Sequence, residues 1–116
     1  MIELLAEVDK PGTIECSCIL KGKEVAATSF PAELRNHEII AKQAFSYVFL
    51  NVAKLKAKHN EAHLEIGEKR LSGFVLKPGV VLICLSAKDA NVMLVRGHVH
   101  ELLKEFRKQE VDQMLA

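Results

Sequence analysis

The chain has 116 residues, of which 49% are hydrophobic, and its 16 Lys and Arg residues nearly balance its 15 Asp and Glu residues. This composition can bury the core of one domain and is not that of a disordered chain. A formal net charge of +1 gives no field that would attract nucleic acid or an anionic membrane, and the lack of Trp argues against a surface that stacks bases. We therefore expect a single domain over residues 1–116 with no nucleic-acid partner.

The cysteines, Cys16, Cys18 and Cys84, are odd in number and do not describe a disulfide framework. They suit a reducing compartment, in which a thiol acts as a small buried hydrophobic group. The first residues carry an acid early and lack the pattern of a signal peptide, and no apolar run approaches the ~18–20 residues that span a bilayer. We expect a cytoplasmic protein with no membrane partner.

The first third of the chain predicts a short helix followed by a hairpin. Residues 2–8 form a helical pattern that ends before Pro11-Gly12. Residues 13–20 alternate as a strand, and residues 23–29 return as a second strand after a turn at Lys21-Gly22, where Gly accepts a positive φ. One face of the first strand is expected to carry Ile14, Cys16, Cys18 and Leu20.

The rest of the chain predicts two helices and three more strands. Pro31 ends the second strand, and a long helical pattern runs from residue 32 to about residue 57. Asp89 can cap a final helix over residues 90–107 or beyond. The order α-β-β-α-β-β-β-α predicts an α/β fold of the α+β type, with helices on both faces of the sheet because the last strand is apolar throughout. The three later strands, which form an antiparallel meander, are expected at residues 61–66, 71–77 and 80–85.

The long helix is apolar over too much of its circumference for a helix that packs on one sheet. Its apolar side chains span roughly 200° at about 100° per residue, whereas one sheet covers an arc of about 100°. Either a loop or the terminal helix folds over it, or a partner chain covers it, most simply a second copy about a two-fold axis. The residues expected at such an interface are Ile39, Gln43, Tyr47, Leu50, Lys54 and His63.

Metal-binding residues are not arranged in a usual spacing. His98 and His100 are two residues apart on a predicted helix and therefore face opposite sides. Cys16 and Cys18 share a strand face, so a soft metal site with Cys84 as third ligand is the alternative to three buried thiols. Buried thiols are the simpler explanation, and we expect no metal.

His63 lies between Glu61 and Glu65 on the polar face of a predicted strand. A solvated strand face explains this pattern, and a pH-sensitive or interfacial position is the alternative. The sequence has no phosphate-binding loop, dinucleotide fingerprint or nucleophile elbow. We therefore expect no cofactor, no catalytic residue and no enzyme activity, with catalysis by Cys84 or His63 as a minor alternative.

Two stretches resemble the Roadblock/dynein light chain family. Glu3-Leu4-Leu5 leading to Pro11-Gly12-Thr13-Ile14 is similar to that family's opening, where a helix passes through a Pro-Gly-hydrophobic junction into a hairpin. The segment Leu82-Ile83-Cys84-Leu85 followed by Asp89 to Arg96 resembles its final strand and the Asn-x-x-Leu-x-Arg entry into its last helix. The order of elements matches over essentially the whole chain.

The resemblance implies a five-stranded antiparallel sheet with the long helix on one face and the terminal helices on the other. It also implies a homodimer, or a heterodimer with another Roadblock chain, that acts as an adaptor or regulator beside a small Ras-like GTPase or a signalling or motor complex. Arg96 and Arg70 are then possible contacts to the GTPase, although Arg96 is better explained as a residue that fixes the start of the last helix. The alternative function is a sensor that holds a small ligand between sheet and helix.

Overall fold

A computed structural model of the chain describes the backbone of residues 2–54, 61–77 and 79–115, and the side chains of residues 4–49, 61–77 and 79–104. The order of helices and strands matches the sequence prediction. No helix in these ranges is both long and apolar enough to cross a membrane. The elements are α1 (Ile2–Val8), β1 (Cys16–Lys21), β2 (Glu24–Thr28), α2 (Arg35–Lys54), β3 (Glu61–Ile66), β4 (Lys69–Lys77), β5 (Val80–Ala87) and α3 (Val92–Leu115).

The five strands form one antiparallel sheet in the order β2-β1-β5-β4-β3. β5 lies in the middle, and all of its residues except Ala87 are buried. This position suits a continuous run of apolar and β-branched residues, which needs cover on both faces. β1 is also buried except for Lys21, whereas β2 and β3 form the two edges and are more exposed.

The helices cover both faces of the sheet, so the predicted layering is confirmed. On one face α2 packs its Ala41 and Phe45 side chains against the strands. On the other face α1 and α3 pack together over the sheet, each through an apolar stripe. The helix residues in this second core are Leu5, Val8, Val95, Val99 and Leu103.

The start of β1 differs from the sequence prediction. β1 begins at Cys16, and Ile14 packs in the core on the α1/α3 side, whereas Cys16 packs on the α2 side. Lys10 and Ile14 exchange backbone hydrogen bonds of 3.0 and 2.8 Å, which close a tight turn just before the strand. Because this turn is not extended, the two-residue alternation does not reach back to Ile14.

Both long helices begin differently from the prediction. A 3-10 turn, Ala32–Leu34, precedes α2, so the α-helix starts at Arg35, and the predicted end near residue 57 lies outside the described residues. The cap of α3 is Asn91 and not Asp89, because the Asn91 Oδ1 atom accepts a 2.9 Å hydrogen bond from the Met93 N–H. Asp89 lies two residues before Asn91, in a turn outside the helix.

Candidate functional site: the outer face of the long helix

α2 has a sheet-facing side and an outward side with different exposure. Ala41 and Phe45 are 0% and 2% exposed, and Phe49 is half-buried beside them. On the opposite side Ile39 is 46% exposed and Tyr47 is 70% exposed. Residues four apart on a helix are neighbours, so Ile39, Gln43 and Tyr47 form one outward stripe.

Two further apolar side chains, Ile40 and Val48, are also exposed beside this stripe. Within the described part of the chain no loop or helix covers these side chains, so the intramolecular explanation for the apolar helix is not seen there. We call Ile39, Ile40, Gln43, Tyr47 and Val48 the outer α2 face. The side chains of Leu50 and Lys54 lie outside the described residues, so their place in this face stays a prediction.

A cavity of about 300 Å³ lies at one border of the outer α2 face. The turn between β1 and β2 forms one wall, and α2 forms the other. It is therefore on the outside of the helix and not between helix and sheet, where the ligand-sensor alternative places a pocket. Its walls are mostly carbon, and Lys42 reaches from the rim to the Glu24 carboxylate at 3.8 Å. The lining residues are Lys23, Lys42, Gln43, Ser46 and Tyr47.

His63, the remaining predicted interface residue, is on the edge strand β3 and belongs to a polar network away from the outer α2 face. Its Nε2 atom lies 2.6 Å from Glu61 Oε2 and its Nδ1 atom 2.8 Å from Ser72 Oγ. Arg96 of α3 donates from Nε and Nη2 to the same Glu61 carboxylate, at 3.0 and 2.6 Å. This network joins the first residue of β3 to both β4 and α3.

The Arg96 guanidinium holds the pKa of the Glu61 carboxyl below its ordinary value of 4.5. Partial burial works against this shift, and the hydrogen bond from His63 adds to it. The carboxylate only accepts hydrogen bonds, so in a neutral ring His63 donates from Nε2 and accepts a hydrogen bond from the Ser72 hydroxyl at Nδ1.

Ser72, His63 and Glu61 are linked in the order of a hydrolase triad, but with the ring nitrogens exchanged, since Nδ1 faces the hydroxyl and Nε2 the carboxylate. Ser72 is only 1% exposed, however, and Phe74 on the same side of β4 packs in the core beneath α1 and α3. A nucleophile must reach a substrate carbonyl, and this hydroxyl has no path to one. The arrangement therefore stabilises the edge of the sheet and does not support catalysis.

Arg70, the other arginine considered as a GTPase contact, is also engaged within the chain. It donates to the carbonyl oxygens of Lys88 and Ala90, and it lies 3.9 Å from the Glu65 carboxylate. Through these contacts it holds the turn between β5 and α3. A contact to a GTPase by Arg70 or Arg96 requires that these bonds be exchanged, and both stay predictions.

The three cysteines are free and buried, and they lie on different faces of the sheet. Cys16 and Cys18 pack on the α2 side, whereas Cys84 packs on the α1/α3 side, so the three sulfur atoms do not converge on a shared metal position. Burial raises the pKa of the Cys16 and Cys18 thiols to about 12, and it raises that of Cys84 well above the ordinary value. These thiols behave as hydrophobic side chains.

The two histidines of α3 serve separate contacts. The His98 Nε2 atom lies 3.0 Å from the Glu7 carbonyl oxygen and 3.1 Å from that of Val8, at the end of α1. His100 lies edge-on to Phe74, with ring centroids 6.4 Å apart. They face different neighbours, as their spacing predicted.

The sequence did not predict two features of these surfaces, the contact of Arg96 with Glu61 and the cavity beside α2. Alternation showed Glu61 and His63 on one strand face, but no local spacing reveals that Arg96, 35 positions along the chain, meets them. The cavity was not predicted either, because it forms only where the turn at Lys23 lies close to α2 in the folded chain. The one sequence feature that could have indicated the cavity is the presence of Lys42 and Gln43 beside apolar residues on the same helix.

Comparisons with known proteins identify the fold. The sequence matches no protein-family model and no curated protein. Among solved structures, the chain is similar to a Roadblock/LC7 domain from Streptomyces avermitilis, with a TM-score of 0.74, 13% identity and coverage of 96% of this chain and 98% of that chain. It is also similar to MglB from Myxococcus xanthus, with a TM-score of 0.62, 17% identity and coverage of 95% and 90%.

A third similar structure is the gliding protein MglB from Thermus thermophilus, with a TM-score of 0.65, 13% identity and coverage of 88% of this chain and 82% of that chain. Taken with the strand order and the helices on both faces, these likenesses show that the chain has the Roadblock-type fold. The fold named by the sequence resemblance is confirmed.

Proposed function

We propose that the protein is a non-catalytic adaptor or regulator that assembles through the outer α2 face with a second copy or with another Roadblock chain. In this proposal the assembly binds a small Ras-like GTPase, or a signalling or motor complex, in the cytoplasm. The exposed apolar side chains of α2 carry the proposal, because Ile39 and Tyr47 are 46% and 70% exposed on a helix whose other side buries Ala41 and Phe45 against the sheet. Free cysteines agree with a reducing compartment.

Exposed apolar groups that cluster on one face are the usual mark of a protein interface. Ile39, Ile40, Tyr47 and Val48 share one helix, and a rigid helix presents them without further ordering. An interface that joins two copies about a two-fold axis uses one patch twice, so a single helix face is enough for a dimer. Tyrosine, the residue type of Tyr47, is one of those enriched among the energetically dominant residues at the centres of interfaces.

The GTPase partner rests on the family resemblance, since Roadblock domains act beside small Ras-like GTPases. Two of the similar structures are MglB, one of them described as a gliding protein, and the shared fold agrees with the proposed regulator. Arg96 and Arg70 remain proposed contacts to the GTPase. Both side chains already donate hydrogen bonds within this chain, Arg96 to the Glu61 carboxylate and Arg70 to the Ala90 carbonyl oxygen. An effect on hydrolysis would therefore come from holding the GTPase in a competent state.

The test is the solution mass by light scattering of the wild type and of Tyr47→Asp. We expect a wild-type dimer and a folded Tyr47→Asp monomer, because the carboxylate would be buried without a partner at the interface. Leu94→Asp is the matched control, since Leu94 is a 62% exposed apolar residue on α3, away from α2. It should leave the dimer intact.

A wild-type monomer would contradict self-assembly through α2 and leave another Roadblock chain as the partner in the proposal. Loss of the dimer in Leu94→Asp but not in Tyr47→Asp would place the interface on α3 and overturn the proposal. Circular dichroism of each variant shows whether it is folded.

A further inference from the structure

Exposed large apolar side chains form two separate groups among the residues whose side chains the structure describes. One group belongs to the outer α2 face. The other is Met93 and Leu94, which are 65% and 62% exposed in the first turn of α3. Because α2 and α3 cover opposite faces of the sheet, a second copy that packs on α2 leaves Met93 and Leu94 in contact with solvent. Adjoining apolar side chains that stay exposed in this way mark an interaction surface.

Gly97 is a further unusual feature on the same side of α3. Residues three and four apart on a helix are neighbours, so Gly97 lies beside both Leu94 and Met93. Glycine inside a helix is less stable than alanine, and a Cβ atom at Gly97 would meet nothing within 4 Å. No contact within the described part of the chain therefore requires a glycine here. The missing side chain leaves a gap through which another molecule can come close to the α3 backbone.

The kind of partner follows from what this part of α3 can contact. The N–H groups of Met93 and Leu94 already donate to Asn91, and those that follow are paired within the helix. An extended segment therefore finds no free backbone groups to bond, as it would at the edge of a sheet. Side chains of one helix fit between those of another, and a gap at a glycine lets two helices approach closely. The flexible methionine side chain adapts to the shape of such a neighbour.

A second copy is a poor match for this surface. In an antiparallel pair of α3 helices that cross at Gly97, Met93 would lie opposite Glu101 of the second copy, because both are four positions from Gly97. The Glu101 side chain is 79% exposed, and burying its charge against an apolar group costs free energy. In a parallel pair, Glu101 would face its own counterpart, and like charges oppose association. The surface therefore suits a different protein.

We propose that Met93, Leu94 and Gly97, the outer α3 face, bind an amphipathic helix of a partner protein other than a second copy. The partner helix crosses α3 at Gly97 and packs its apolar side chains against Met93 and Leu94. Arg96 borders this surface, since its Nη1 atom lies 3.3 Å from the Met93 sulfur atom. The inference rests on the proposed function, in which the assembly binds a second protein, and it gives that protein a surface separate from the outer α2 face.

The experiment measures binding of two fluorescein-labelled peptides to the whole protein by anisotropy. The first is an amphipathic peptide of about 20 residues, long enough to form a helix in water, with Leu along one side and Glu and Lys along the other. In its twin a central proline breaks the helix while the Leu residues remain. We expect saturable binding of the helical peptide, about tenfold tighter than binding of the twin. Equal binding of the two peptides, or no binding, would overturn the proposal.

Two substitutions in α3 test where the peptide binds. Leu94→Asp should weaken binding by about tenfold, because it brings a charge among apolar groups. Gly97→Leu should weaken it by about fivefold, because the new side chain fills the gap that the partner helix needs. Circular dichroism shows that each variant is folded. A folded Leu94→Asp or Gly97→Leu protein that binds the peptide as tightly as the wild type would contradict the proposal.

Tyr47→Asp separates this proposal from the proposed function. It should release the dimer in light scattering and leave peptide binding unchanged, because the outer α3 face is on the other side of the sheet. Peptide binding that is lost in Tyr47→Asp and kept in Leu94→Asp would place the peptide on the outer α2 face and overturn the proposal.

Light scattering of the wild type and of Leu94→Asp distinguishes the remaining outcomes. A wild-type monomer that binds the peptide through Leu94 would contradict self-assembly through α2 and support the outer α3 face. A dimer that binds no peptide would overturn the outer α3 face and leave self-assembly standing. A wild-type assembly larger than a dimer that Leu94→Asp reduces to a dimer would assign the outer α3 face to a second copy, which also overturns the proposal.

Discussion

Gly73 of β4 lets α2 approach the sheet closely, and adding one methyl group there should destabilise the protein. A Cβ atom at this position would lie 2.8 and 2.9 Å from the Phe45 Cδ1 and Cε1 atoms and 3.1 Å from Phe49 Cε2. Phe45 is 2% exposed, so its ring cannot move aside into solvent. Overpacking of this kind costs about 1–3 kcal/mol, and we expect Gly73→Ala to lose an amount in this range.

Urea unfolding, followed by circular dichroism, measures the change in the free energy of unfolding. Gly97→Ala is the matched control, because a Cβ atom at Gly97 in α3 meets nothing within 4 Å. This substitution should stabilise the protein by about 0.5–1 kcal/mol, since Ala favours a helix interior over Gly. Combining Gly73→Ala with Phe45→Leu, which removes the clashing ring atoms, should cost less than the sum of the two single losses.

The opposite signs of the two Gly→Ala effects are the decisive outcome. A Gly73→Ala protein as stable as the wild type would refute the close packing of α2 on β4. A loss of stability in Gly97→Ala would show that α3 is packed or built differently from the structure described here.

The remaining predictions concern the polar network and the thiols. Arg96→Ala and Glu61→Gln should each lower the free energy of unfolding at neutral pH, and the double variant should lose less than the sum, as urea unfolding will show. Because the folded-state pKa of Glu61 is depressed, its contribution is present above the ordinary value of 4.5 and is lost as pH falls through the lower folded value. Glu61→Gln should therefore flatten the acid side of the stability profile, and an unchanged profile would contradict the network. Native protein at pH 8 should resist alkylation at Cys16, Cys18 and Cys84, with all three modified in urea, as mass spectrometry can count.

The sheet was predictable from sequence because strand alternation and short turns act locally. The apolar run of β5 predicted its central place, and the Gly22 turn predicted the β1–β2 hairpin, where φ is +64°. Ile14 was assigned to the wrong face because the turn closed by Lys10 depends on backbone hydrogen bonds that no side-chain pattern records. The Asp89 cap was wrong for a similar reason, since Asn91 and Asp89 are both suitable cap residues and geometry decides between them.

The candidate site was predictable only where it depends on a single helix. Helical spacing placed Ile39 and Tyr47 on one outward side, and both are exposed there. The contact of Arg96 with Glu61 joins α3 to an edge strand, and it follows from the way these elements pack. Long-range contacts of this kind can be identified only from the tertiary structure, because no sequence pattern between the two residues indicates that they lie close together in space.

The strand order also separates the sheet into two pieces that are each local in the chain. β1 and β2 form a hairpin, whereas β3, β4 and β5 form a continuous meander, and only the ladder from Cys16–Leu85 to Lys21–Val80 joins the two. Closing that ladder brings together residues 16–21 and 80–85, which are the most distant partners along the chain in this sheet, so it is entropically the most demanding pairing. We therefore expect that during synthesis one side of β1 stays unpaired until β5 has left the ribosome, and that misassembly would begin at this exposed hydrophobic strand.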